Sequence, residues 1–359
     1  MKNKNPVIYL GLSRLHRNRA NLIQTLHTVA GLRKVGVDVQ LYLPPWGQRT
    51  QLARRLDDMG IPADLDVRPA QFLHSRWKSF LPFAFLNRRK LLQATGVHVR
   101  SPDLSLALSR FAIPHSLEIH EIARLQKEEK VSAVLEAHRQ GIIRHLFPIN
   151  QGTAQFFLDQ GTDPARVHVC PSGFDESAFA SISEFTAEGL TQPTIVHLGL
   201  ISKNRGLDIF LAAAGHGCQV TLIGECRAEI PPDAKVQRLA PIPLRDVPGW
   251  YDRTQLILLP YQADIDTARS MSPIKVFEAM AAGRPIIASD LPAIRELLKD
   301  EWNALLVPAN DEQAWLDAIE RLQKNPHFAK RLAAQAKHDS QEFSWRKRAE
   351  TIARVSGWL

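Results

Sequence analysis

Short apolar runs alternate along the chain with stretches whose apolar residues recur every three to four positions. Residues 7–12 (VIYLGL) read as a buried strand. Residues 22–35 read as a helix begun by Asn21 and ended by Gly36, and 37–43 as the next strand. Such a β-α-β unit implies a parallel sheet. The pattern continues with a helix at 51–59, strands at 96–99 and 116–120 and a helix at 121–139. A strand at 141–149, a helix to about 160 and a strand at 167–171 follow. Residues 177–192 lack a period and read as a linker. A second series then begins, with strands at 194–198, 219–223, 236–239, 256–259 and 285–289. Its helices fall at 207–214, 244–251, 273–282, 312–323 and 326–342. The expected architecture is α/β: two Rossmann-like domains with parallel sheets facing across a cleft, 1–175 and 176–340, and a terminal segment, 341–359. In such sheets ligands bind at the C-terminal ends of strands.

Three stretches carry candidate chemistry. The first is 272–290, SPIKVFEAMAAGRPIIASD. Ser272 is suited to cap the helix and Pro273 to open it. Gly283 is suited to close it in a left-handed conformation, and Pro285 stops it from resuming. Lys275 in the first turn opposes the helix dipole, unless an anion sits on the helix N-terminus. Glu278, three residues on, shares its face, where a carboxylate could accept both hydroxyls of a ribose. A solvated Lys–Glu pair is the plainer alternative.

The second stretch is 197–214, where a strand ends at Gly199, Lys203 and Arg205 follow in a short loop, and Gly206 opens a helix. Backbone N–H groups and two cations would make a diphosphate clamp; a solvated loop is the alternative. The third is Glu118-Ile-His120-Glu121 at a strand end, read either as a cleft histidine or as a hydrogen-bonded structural one. No dinucleotide or P-loop fingerprint and no metal-ligand spacing is present.

Charge changes the picture mainly in the first half. The chain of 359 residues has a formal net charge of +8. Residues 1–180 hold 24 Lys and Arg against 15 Asp and Glu, a balance of +9, whereas 181–359 balance at −1. An anionic partner is expected for the first half. Within it, 74–92 interleaves Trp77, Phe80, Leu81, Phe83, Phe85 and Leu86 with Arg76, Lys78, Arg88, Arg89 and Lys90, which suits an anionic membrane surface. Packed core helices are the alternative, and Pro82 is expected to interrupt any single amphipathic helix. The apolar run near the N-terminus is too short for a signal peptide, and no run approaches the 18 or so residues of a membrane span. Three cysteines without C-x-x-C spacing argue against a disulfide framework or zinc site and fit a reducing compartment.

Taken together and in order, these stretches resemble the retaining glycosyltransferases of the GT-B class, family 4. The resemblance covers nearly the whole chain and is strongest over 194–308, in TIVHLGLISKNRGLDIFLAAA, LILLPY, SPIKVFEAMAAGRPIIASDLPAIRELL and NALLVPAND. SLEIHE, the P-S-G-F-D turn and the terminal FSWRKRAETI extend it; the last resembles the family's final helix, which implies that 341–359 crosses back to the first domain. It implies a hexose-type nucleotide-sugar donor, UDP- or GDP-linked, on the second domain and a glycan or lipid-linked acceptor on the first. It also implies no metal or other cofactor and no nucleic-acid partner. Residue by residue, Arg205 falls where the family holds phosphate, and Glu278 where it holds the ribose. The amides of Ile274, Lys275 and Val276 fall where it holds the diphosphate, and His120 beside the sugar.

Gly11, Gly199, Lys203 and Ser272 complete the expected donor site. His120 and Arg205 are the expected catalytic pair. The implied location is cytoplasmic, peripheral at the inner membrane face. Three departures stand out: Leu200 replaces the usual arginine, Ser270 the usual sugar-holding glutamate, and Gly11 is one glycine where relatives have two. They leave open a non-catalytic nucleotide-sugar-binding subunit; an epimerase of the same fold is the other rival.

Overall fold

The computed structural model describes residues 5–16, 19–73, 79–262 and 271–359. It comprises two compact units, one formed by residues 1–173 with 345–359, the other by 174–344. In the first, strands β1 (Val7–Leu10), β2 (Val39–Leu43), β3 (Val67–Pro69), β4 (Gly96–Val99), β5 (His115–Ile119) and β6 (Ile143–Pro148) form one sheet. Their order is β3-β2-β1-β4-β5-β6 and every pairing is parallel. That order is the doubly wound one. β1 is buried along its whole length, as a strand covered on both faces must be.

The second unit has two three-stranded parallel ladders. One is β7 (Thr194–Leu198), β8 (Gln219–Ile223) and β9 (Val236–Leu239). The other is β10 (Ile257–Leu259), β11 (Ile286–Ser289) and β12 (Leu305–Val307). They meet where the Gln255 and Leu256 amides both donate to Thr194 O, at 2.9 and 3.2 Å.

The terminal helix, Trp345–Val355, belongs to the first unit, where it packs on helix Ala20–Lys34. The approach is close enough to require Gly31: a Cβ there would lie 2.6 Å from Trp345 O. His27 stacks on Trp345 at 5.5 Å between ring centroids, and Trp358 meets His98 edge-on at 6.2 Å.

Several expectations need correction. The stretch 121–139 is two helices, Ile122–Lys127 and Val131–Arg139. They are separated by Glu129 at φ 53, where the Lys130 amide turns back to Leu125 O. Residues 167–171 run beside β6 with one ladder bridge, Val167 to Leu146, and with the His168 and Cys170 amides donating to Leu146 O and Pro148 O at 2.9 and 2.7 Å, directly after Arg166. The Arg166 guanidinium donates to the carbonyls of Arg144, Ile143 and His138. The 177–192 stretch is no free linker, since Phe179, Ile182, Phe185 and Leu190 are all buried. Its apolar residues lack a period because most of the segment is irregular, so burial follows no fixed step. Pro82 starts a helix rather than interrupting one: Leu81–Gln93 has the proline in its first turn, where the missing N–H costs nothing. The stretch 244–251 begins as a 3-10 turn, Leu244–Asp246, before helix Val247–Asp252.

Candidate functional site

A pocket lies in the second unit, at the C-terminal ends of β7 and β10. His197, Leu198, Arg205, Tyr251, Pro260, Tyr261 and Lys275 are among its lining residues. β7 ends at Gly199, whose φ of 126 suits glycine alone. A Cβ at Gly199 would lie 2.7 Å from Lys275 Nζ, so the bare backbone lets the ammonium in. The Lys203–Arg205 turn follows and ends on Gly206. Arg205 reaches back over the Tyr261 ring, 5.8 Å from its centroid. Lys203 is exposed and is not among the pocket's lining residues, so of the two loop cations only Arg205 joins it.

Helix Ile274–Ala282 opens on this pocket. It starts one residue later than expected: Pro273, not Ser272, is the cap, with extended backbone and no side-chain capping bond. The Val276 amide already donates to Pro273 O at 3.0 Å, so among the described residues the open end of the helix is formed by the Ile274 and Lys275 amides. Gly283 closes the helix at φ 60, and Pro285 follows.

The electrostatics suit an anion. Burial, then Arg205, brings the Lys275 ammonium down to about 8. Burial pushes the Glu278 carboxyl up to about 7, against the pull of Lys275 and of the Tyr251 hydroxyl, which donates to it. His197 is held near 3 by burial, Lys275 and Arg205, so it is neutral, and its Nε2 lies 3.0 Å from Leu200 O. A neutral imidazole N–H there steadies the loop through the backbone of the position where an arginine was expected. Two cations, Arg205 and Lys275, therefore line a half-buried space at a helix N-terminus, and the Glu278 carboxyl stands next to it through Lys275 and Tyr251. Diphosphate on the cations and a diol on the carboxylate are the groups that arrangement can hold.

The first unit keeps its candidates elsewhere. Gly11 ends β1, and a Cβ there would meet Leu43 Cδ2 at 2.9 Å, so in this structure its smallness serves sheet packing. His120 follows β5, half-buried, with both ring nitrogens engaged. Nε2 meets Glu118 Oε1, and Nδ1 lies 3.3 Å from Arg100 Nη2. Ser270 lies outside the described residues, as do Arg76, Trp77 and Lys78. Among the described residues no group of three or more His, Cys, Asp or Glu could hold a metal ion. Nor is any helix among them long and apolar enough to cross a membrane.

Sequence reasoning missed Tyr251, Tyr261 and His197 in the pocket, and Arg100 and Arg348 in the first unit. For Tyr261 a signal existed, its place just after the strand LILLP; for Arg348, in a terminal helix far along the chain, there was none.

Residues 192–325 match the family described as glycosyl transferases group 1. The fold is that of Anabaena HepE in its complex with UDP. The likeness covers 99% of this chain and 100% of that one, with a TM-score of 0.73 and 15% identity. Fold and family match together define a GT-B glycosyltransferase class. Among curated relatives, the alpha-D-kanosaminyltransferase of Streptomyces kanamyceticus is 26% identical over 84% of this chain and 86% of its own length. A D-inositol 3-phosphate glycosyltransferase of Xylanimonas cellulosilytica is 23% identical over 54% of this chain; the match spans about half of that relative, 52%. The match over residues 192–325, the relatives and the structural neighbours together support a GT-B group 1 glycosyltransferase.

Proposed function

We propose that this protein transfers a hexose-type sugar from a UDP- or GDP-linked donor to a glycan or lipid-linked acceptor, with retention at the anomeric carbon. The observation that carries the donor half is the pocket in which Arg205, Lys275 and an open helix end converge beside Glu278. As the glycosidic bond breaks, negative charge builds on the departing diphosphate. Arg205 and Lys275 take up that charge without rearrangement, an electrostatic contribution that grows in a half-buried site. Glu278 accepts from the ribose hydroxyls, which fixes the nucleotide. Retention follows if the acceptor oxygen attacks from the face the diphosphate leaves, which lets the leaving group take the acceptor's proton. Charge of this kind needs no metal, so chelation is expected to leave turnover unchanged.

The test is sugar transfer and donor hydrolysis with a panel of UDP- and GDP-sugars. Inositol 3-phosphate belongs among the acceptors, because the Xylanimonas relative is named for it and the first half of this chain is basic. Binding of the donors with neither transfer nor hydrolysis would favour a non-catalytic subunit.

A second reading, peripheral attachment to an anionic membrane at the inner face, has its own observation. On helix Leu81–Gln93, Phe85 is 65% and Leu86 63% exposed, with Leu81 and Leu92 also out. Exposed Arg88, Arg89 and Lys90 lie between them. Phe85 and Leu92, seven residues apart, share one face. Sedimentation with vesicles tests it: recovery is expected with anionic lipid and lost in Phe85→Ser/Leu86→Ser. Equal recovery with neutral lipid would count against it.

A further inference from the structure

Five polar side chains of the first unit gather on one face of its sheet, and the C-terminal helix supplies a sixth. Tyr9 and His98 are register partners on β1 and β4. Glu118 and His120, two residues apart, project to the same side of β5. Glu118 is fully buried. Its Oε2 lies 2.6 Å from Arg348 Nη2 and 3.3 Å from both His98 Nε2 and the Tyr9 hydroxyl. Its Oε1 meets His120 Nε2 and lies 3.7 Å from Arg100 Nε. Burial alone would raise this carboxyl; Arg348, then His120, outweigh it and hold the group well below the ordinary glutamate range. Glu118 is therefore ionised and can only accept hydrogen bonds.

On the other side of the ring, Arg100 can only donate, and it is held in turn by Gln24 Oε1 at 3.0 Å. A ring that donates at Nε2 and accepts at Nδ1 has one allowed form, the neutral Nε2–H tautomer. Burial and Arg100 also push His120 down to about 4. Arg348, meanwhile, anchors Glu118 from a helix far along the chain. It donates to Cys170 O, to Pro171 O at 2.7 Å and to Thr28 Oγ1 at 3.1 Å.

We propose that Glu118 is a positioning residue that fixes His120 in its neutral Nε2–H tautomer and ring orientation. On this proposal Arg348 of the C-terminal helix fixes Glu118, so the terminal helix supports the reacting end of the first unit. The proposal rests on the reading of His120 as the group beside the transferred sugar. A neutral histidine so held presents its ring edge as a shaped contact. It does not act as a proton carrier, because both nitrogens are already committed.

The test uses the full chain labelled with 15N-histidine, with His120 assigned by its absence in His120→Ala. At pH 7 the wild type is expected to show the neutral Nε2–H pattern. An Nδ1–H or imidazolium pattern would overturn the proposal, and this measurement needs no variant of the cluster to fold. Glu118→Asp keeps a buried negative charge in the cluster but shortens the side chain, which withdraws the carboxylate from His120 Nε2. It is expected to mix the tautomers and lower turnover about tenfold or more at unchanged donor affinity, yet to add no loss in a His120→Ala background. An equal loss in both backgrounds would show Glu118 to be merely structural. Wild-type turnover in His120→Ala would instead overturn the underlying reading of that histidine, whatever the spectra show.

Discussion

Each unit holds a glutamate among cations, and the two behave oppositely. Glu118 sits fully buried among two arginines and two histidines that touch or nearly touch it, and its carboxyl is held well below the ordinary range. Glu278 sits half-buried with one lysine and one tyrosine, and its carboxyl rises to about 7. Partner number explains the difference. Desolvation opposes ionisation in both places, but only in the first unit do enough donors converge to reverse it. A saturated cluster of that kind is suited to holding structure. An undersaturated one, with Lys275 brought down to about 8 beside it, keeps capacity for a ligand.

Removing one partner from each cluster should expose the contrast. Arg348→Ala leaves Glu118 buried without its closest cation, and a loss of about 3–5 kcal/mol of stability is expected, read by chemical denaturation. A loss under about 1 kcal/mol would mean that the pair is dispensable. Arg205→Ala should leave the fold intact and lower turnover about 10²–10³-fold; an unchanged rate would remove Arg205 from the diphosphate. Glu278→Ala should weaken nucleotide affinity about 10–100-fold, the worth of hydrogen bonds to a charged group, by calorimetry with UDP and GDP. Near-wild-type affinity would remove it from the ribose role.

The pH dependences should run in opposite senses. Glu118 has a depressed folded value, so its stabilisation is present above the unfolded value near 4.3 and is lost as pH falls below it. Glu278 has a raised one, so its protonated form favours the fold at low pH, and that contribution is lost as pH rises through about 7. Glu278→Gln should therefore raise the thermal midpoint at pH 8 and leave it nearly unchanged at pH 4, while Glu118→Gln lowers it at pH 8. For nucleotide binding, affinity should climb as Glu278 ionises near 7 and fall as Lys275 loses its proton near 8. The rising limb should vanish in Glu278→Gln; its persistence there would assign it to another group.

Much of the fold was legible in the residues alone. Apolar runs and helical spacing marked most strands, because burial on both faces of a parallel sheet forces continuous apolar runs, but left out the short strands Val67–Pro69 and Leu305–Val307 and helix Pro102–Ser109. Gly283, Pro285 and the Lys275–Glu278 spacing marked the pocket's helix, because the signals that end and face a helix act within a few residues. Signals of that range could not show that the 177–192 stretch packs through Phe179 and Phe185, or that Arg205 lines the pocket while the exposed Lys203 does not. Nor could they reveal Arg348, which meets Glu118 from 230 positions along the chain. Which charges are buried together, and which carboxylate therefore stays ionised, depends on desolvation and on partners at distant positions. Only the tertiary structure decides those.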